Sequence, residues 1–174
     1  MGTRNLTKVI DKDNIVRVAQ YGQWDGYPEY TGTRILEFIK DGSVLDRIES
    51  NLRKVHFLSE DELKQFYEGY ADSDGFMTMD NANSFDLIYP ALSRNTGCDI
   101  LRVIAYSTGH TLALWDDSEF EKDDLFCEGV YTINYQTRTF ISTYSGVSVS
   151  IEFDKLPTAE EYLNSFKQLL TNAA

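Results

Sequence analysis

Residues 147–153 read Val-Ser-Val-Ser-Ile-Glu-Phe, an unbroken alternation of apolar and polar side chains. Successive side chains on a strand point to opposite faces. This segment therefore buries one face only, and a slip of one residue would turn every apolar group into water. Two more β-rich segments precede it, 130–135 and 139–144, with turn chemistry at "QT" and "SG". Links this short join antiparallel neighbours, because parallel strands need a crossover of a dozen or more residues. The end of the chain is read as a meander with one face to cover, and the other residues must supply the cover.

The N-terminus adds a hairpin: Leu6, Lys8 and Ile10 alternate with Thr7 and Val9, "DKDN" turns, and 15–20 resume the β-rich pattern. A lone hairpin is marginal in water, so it is expected to join the meander. Between 31 and 93 the spacing is helical. Ile35, Leu36, Phe38 and Ile39 form one apolar face. Val44, Leu45, Ile48, Leu52 and Val55 form a second, behind the weak box Ser43-x-x-Asp46. Leu63, Phe66, Tyr67 and Tyr70 form a third, behind the stronger capping box Ser59-x-x-Glu62. Phe85, Ile88, Tyr89 and Leu92 predict a short helix, which Pro90 weakens. From Asp99 the runs 100–106 and 111–115 are apolar and flank the turn "STGH", and they are expected as a strand pair. Thr158-x-x-Glu161 caps a last helix with Tyr162, Leu163, Phe166, Leu169 and Leu170 inward.

The expected fold is one α+β domain spanning 1–174. Its antiparallel sheet has about six or seven strands, near 5–10, 15–20, 100–106, 111–115, 130–135, 139–144 and 147–153. Helices pack mainly on one face of that sheet.

The chain carries 28 acidic and 16 basic residues, a formal net charge of −12. Binding of double-stranded nucleic acid depends on releasing phosphate counterions to Lys and Arg, and no basic run offsets the acidic total. That partner is excluded. A small anion is not, since one helix end and one or two arginines suffice. No apolar run approaches the roughly 18–20 residues of a membrane span, and the N-terminus lacks the segments of a secretory signal. The protein is expected in the cytoplasm, with no membrane partner. Cys98 and Cys127 are read as reduced, buried thiols.

The stretch "YGQWDGYPEY", 21–30, crowds four aromatic rings, two acids and two glycines into ten residues. Gly22 and Gly26 permit unusual backbone conformations, and Pro28 biases Tyr27 towards an extended form. A helix is expected to start at Thr31 or Thr33. Free N–H groups there suit a phosphate or carboxylate, and Gly32 lets a ligand approach the backbone. Trp24, Tyr27 and Tyr30 can stack on a base, with Arg34 close behind. Further on, "SRNTGCD" offers Arg94 as an anion clamp and Asn95 beside it. The candidate ligand-binding residues are Trp24, Asp25, Tyr27, Tyr30, Thr31, Gly32, Thr33, Arg34, Arg94 and Asn95. A structural alternative stands beside this one. In it, Trp24 and Tyr27 plug the sheet–helix junction, Asp25 accepts backbone N–H groups, and Asn95 and Gly97 merely shape a turn.

Other chemistry is thin. Counted from Asp72, "DSDGFMTMD" puts Gly75 at position 4 and Asn83 at position 12, where a calcium loop needs Gly at 6 and Glu at 12. His56 and His110 stand 54 residues apart, without metal-binding spacing. Removing Met1 exposes Gly2, which has no side chain to act as an N-terminal nucleophile. Neither metal nor cofactor is expected, and no coherent nucleophile–base set points to catalysis.

At "MGTRNLTKVI", "AQYGQWDGYPEYTG" and "YPALSRNTGCDIL" the chain resembles a family of small proteins of bacteriophages and bacterial genomes, marked by a Trp-Asp-Gly-Tyr-Pro loop after an N-terminal hairpin. Here the loop is Trp24-Asp25-Gly26-Tyr27-Pro28. The resemblance implies a phage-type accessory protein that sequesters a small anionic molecule, such as a nucleotide immune signal, in the host cytoplasm. Two alternatives are a hydrolase of a nucleotide-like or amide substrate and an acidic protein-interaction module. The expected partners are that small molecule and, at most, further copies of the chain.

Overall fold

The N-terminal hairpin forms as read. β1 (Asn5–Ile10) and β2 (Val16–Gly22) pair antiparallel. The Asp11 carboxylate closes their turn by accepting the backbone N–H groups of Asp13 and Ile15, each at 2.9 Å. The computed structural model describes residues 2–173, so the two end positions of the expected 1–174 domain lie outside it. The meander also forms, as β5 (Gly129–Asn134), β6 (Thr139–Tyr144) and β7 (Val147–Glu152). Ser145 and Gly146, at φ 49° and 76°, make the left-handed two-residue turn that suits the twist of a hairpin.

These five strands form one sheet in the order β2-β1-β5-β6-β7. The β1–β5 pair is parallel, so the sheet is mixed and not antiparallel throughout. The long helical segment between β2 and β5 provides the crossover that such a pairing requires. One row of side chains runs through all five strands: Val18, Val9, Ile133, Phe140 and Ile151 stand opposite one another in register. None is more than 8% exposed.

The cover comes from α1 (Thr33–Ile39), α2 (Gly42–Leu52), α5 (Ile100–Ala105) and α6 (Ala159–Ala173), whose apolar residues share one core with that row. The result is a single α+β domain with helices on one face of the sheet. Along the open edge of β2, and from there onto the other face at the hairpin end, runs the segment 115–122. The Asp117 N–H donates to Ala19 O at 3.0 Å, and Phe120 meets Tyr21 edge-on at 4.8 Å. No helix among the described residues is long and apolar enough to cross a membrane.

Two expectations change. Residues 100–106 are not a strand but α5 and the residue that ends it. Ile100, Leu101, Ile104 and Ala105 are buried while Arg102 and Tyr106 face out, a period near 3.6. The Asn51 side chain holds the helix end by donating to Ile104 O at 2.8 Å. The strand expected at 111–115 survives as β4 (Leu112–Leu114), but its partner is β3 (Val55–Phe57), parallel, in a separate two-stranded sheet. Val55, expected on the second helical face, is the first residue of β3.

The capping readings fare well at two of three sites. Ser59 and Glu62 cap α3 (Glu60–Glu68) reciprocally, and Thr158 and Glu161 do the same for α6. At α2 the cap is Asp41, which accepts from Ser43 N, and not the box at Ser43. α4 (Met79–Ile88) stops before Pro90, and residues 90–92 form a 3₁₀ turn. α3 and α4 pack beside the main core around Leu58, Phe85 and Leu92.

Candidate functional site

The aromatic loop is held by its backbone. Gly26 N donates to Thr3 O at 2.9 Å, and the buried Tyr131 hydroxyl donates to Gly26 O at 2.7 Å. Asp25 sits at φ 53°, in the left-handed region, and its side chain is exposed. It is the Asp25 carbonyl that closes the turn, by accepting the Thr31 hydroxyl at 2.7 Å. Pro28, Thr31 and Gly32 are buried, whereas Trp24 is 57% and Tyr27 43% exposed. The rings therefore do not plug the sheet–helix junction. Trp24 lies over Gly2, where an added Cβ would meet its ring at 2.4 Å, and Tyr27 lies 6.0 Å from Tyr144.

The helix start expected at Thr31 or Thr33 begins earlier and offers no free N–H groups there. Residues Pro28–Gly32 form a π-helical turn that runs into α1. Thr31 N is taken by Asp25 O, Gly32 N by Tyr27 O, and Thr33 N by Pro28 O and Tyr30 O. The Thr33 hydroxyl donates to Glu29 O at 2.7 Å and caps nothing. Gly32 is needed for a reason other than a ligand: a Cβ there would stand 2.0 Å from the Tyr162 hydroxyl. That hydroxyl is hydrogen-bonded to Ser142 Oγ at 2.6 Å in the core.

Arg34 opens a different site. It projects from α1 into a groove of about 690 Å³ bounded by α1, α5 and the start of α6. Its Nη2 donates to Asp99 Oδ1 at 2.6 Å, and Arg102 Nε lies 3.9 Å from the same oxygen. Each guanidinium rests on a ring, Arg34 at 5.8 Å from the Tyr30 centroid and Arg102 at 4.6 Å from Phe38. Two cations, each with an aromatic support, thus converge on one half-exposed carboxylate. Glu29, Glu37 and Asp41 stand on the rim. Burial pushes the Cys98 thiol in the groove wall up to about 11, and the Arg34 charge offsets only part of that. The thiol is therefore protonated at neutral pH and a poor nucleophile.

Among the candidate residues, Thr33 and Arg34 line this groove and Tyr30 stands behind Arg34, while Trp24, Asp25 and Tyr27 face out of the loop and Thr31 and Gly32 lie under it. Arg94 belongs elsewhere. Its guanidinium lies 5.2 Å over Tyr21, in a second cleft between β2, α3 and residues 115–120. Asn95 is exposed and donates to Asp86 at 3.2 Å. Asp99, Arg102 and Tyr106 are not among the sequence candidates, and Phe38 is read there only as part of an apolar helix face. The apolar pattern 100, 101, 104, 105 would have shown Arg102 and Tyr106 sharing the outer face of a helix. Comparison with protein-family models, with curated proteins and with solved structures gave no match.

Proposed function

We propose that the groove between α1, α5 and α6 binds a small anionic ligand of nucleotide type, and that the protein sequesters it without turning it over. The observation that carries this reading is the convergence of Arg34 and Arg102 on Asp99 Oδ1. Asp99 stands where a ligand carboxylate or phosphate oxygen would sit. An exposed ion pair such as Arg34–Asp99 is worth about 0–1 kcal/mol. A charge-assisted hydrogen bond is worth roughly 1.5–3 kcal/mol, so a ligand oxygen bonded to Arg34 can offset the loss of the Asp99 pair. Phe38 and Tyr106 line the groove and offer rings for a base, at about 1–3 kcal/mol per stacked base.

The acidic rim of Glu29, Glu37 and Asp41 selects against dense negative charge on the ligand. A phosphodiester suits it better than a triphosphate. Cys98, held protonated by burial, supplies no thiolate nucleophile in the groove. The resemblance to phage proteins supplies the setting: a host immune signal held in the host cytoplasm by an accessory protein.

Incubation with cyclic dinucleotides and ADP-ribose derivatives, followed by analysis of what denaturation releases, tests the reading. Intact ligand is expected. An altered product would make the protein an enzyme, and no retention would favour a protein partner. Arg34→Ala is expected to weaken retention at least tenfold, about 1.4 kcal/mol, with the fold intact because the side chain is 46% exposed.

A further inference from the structure

The second cleft, of about 280 Å³, has a chemistry opposite to that of the groove. Its walls are aromatic: Tyr21 from β2, Tyr67 from α3, and Trp115 and Phe120 from the segment between β4 and β5. At its side stands Asp117. The Asp117 N–H donates to Ala19 O at 3.0 Å, and its Oδ2 accepts from Tyr21 N at 2.9 Å, so the carboxylate is pinned to the open edge of β2. Asp117 forms no ion pair among the described residues. Gln20, buried, donates to Ser93 O at 3.1 Å and ties β2 to the turn that carries Arg94.

We propose that this cleft is a binding site for an organic cation, a guanidinium or alkylammonium head on a short stem, with Asp117 as counter-ion and the rings of Tyr21, Tyr67, Trp115 and Phe120 as its walls. A cation over an aromatic face is attracted by the ring quadrupole, most strongly where water is excluded. The cleft already displays the required geometry with its own residue: the Arg94 guanidinium lies over Tyr21, 5.2 Å from the ring centre. Arg94 is exposed, and an incoming cation takes its place. Burial raises the Asp117 carboxyl above its usual range, and the Tyr21 N–H and the Arg94 charge offset only part of that, so a bound cation adds a counter-charge where one is wanted. The net charge of −12 draws cations to the surface at large. The site stands apart from the groove of Arg34 and does not depend on what that groove binds.

The test is an NMR titration of the full chain with agmatine, following the Trp115 indole N–H and the Tyr21 amide, with sodium chloride at matched ionic strength as control. Saturable shifts at both positions are expected from agmatine and not from the salt. Asp117→Asn, which keeps an acceptor for Tyr21 N, is expected to weaken agmatine at least tenfold. Arg94→Ala is expected to strengthen it several-fold, because it removes the internal competitor. An anion clamp at Arg94 would give no such gain. Tetramethylammonium saturating like agmatine would show that the rings suffice for the head group. An acetylated Gly-Arg-Gly amide saturating like agmatine would identify a peptide side chain as the source, and its failure a free amine; both uphold the site. No saturable shift in either the wild type or Arg94→Ala, or undiminished binding in Asp117→Asn, overturns the proposal.

Discussion

The row Val18–Val9–Ile133–Phe140–Ile151 and the helix pair α3–α4 are both apolar, yet they bury their side chains to different depths. Each member of the row is covered from above by helices and flanked by neighbours on the sheet. α3 has no fully buried residue, and α4 has one, Phe85. Phe85 is surrounded by rings, with Tyr67 at 4.9 Å, Tyr89 at 5.1 Å and Tyr70 at 5.3 Å. Beyond that cluster the apolar surface faces water: Phe76 is 72% and Leu87 84% exposed. A sheet with helices on one face closes a core, whereas two short helices beside it close half of one. Local opening draws on regions with few buried contacts. The α3–α4 unit is therefore expected to open without unfolding the sheet.

The largest effect that would break this contrast lies in the row. Phe140→Ala is expected to cost about 3–5 kcal/mol, to lower the midpoint of global unfolding, and to leave one cooperative transition. In Phe85→Ala a comparable cavity has a cheaper outlet, because the unit can open locally. Its global cost is then capped at the stability of α3–α4, below that of the whole chain, while amide protection in residues 60–88 collapses. Equal global losses in the two variants would mean that the molecule is one cooperative unit. Smaller again is Ser59→Ala, which removes half of a capping box worth about 1 kcal/mol. Hydrogen exchange should quicken by several-fold in the α3–α4 unit and not in the sheet. Equal quickening in the sheet would contradict the separation.

The smallest effect lies at the seam between the two regions. Burial raises the folded-state pKa of Asp117 above its unfolded value, so the native chain holds that proton more tightly. The resulting stabilisation is complete below the unfolded pKa and fades as pH rises through the folded one. At neutral pH the native state bears the cost of a desolvated charge. Asp117→Asn should therefore unfold at higher urea than wild type at pH 7, with the difference shrinking towards pH 4. Comparing the two proteins at each pH removes the contribution of Asp11, Asp41, Glu62 and Glu161. Those carboxyls are lowered in the folded state and lose stability in the opposite direction, as pH falls. A variant less stable than wild type at pH 7 would reverse the sign and place the value of Asp117 in its bond to Tyr21.

Local patterns carried their own information. Alternation at 147–153, the Asp11 turn, and the boxes at Ser59 and Thr158 hold in the folded chain because each depends on residues within a few positions of one another. The same holds for the α+β class, which follows from hairpins at both ends of a helical middle. Pairings and pockets depend on distant partners. The apolar run at 100–105 suits a strand or a buried helix equally, and packing against α2, with Asn51 at the helix end, made it a helix. That choice turned Arg102 towards Arg34, 68 positions earlier in the chain, and created the groove. Parallel pairing of β1 with β5 was equally invisible, since neither strand encodes its neighbour. The aromatic loop shows both sides. Its crowding of rings marked it as unusual, but whether they faced core or water was decided by Tyr131 and Tyr162, more than a hundred residues away, which already fill the space beneath Gly26 and Gly32.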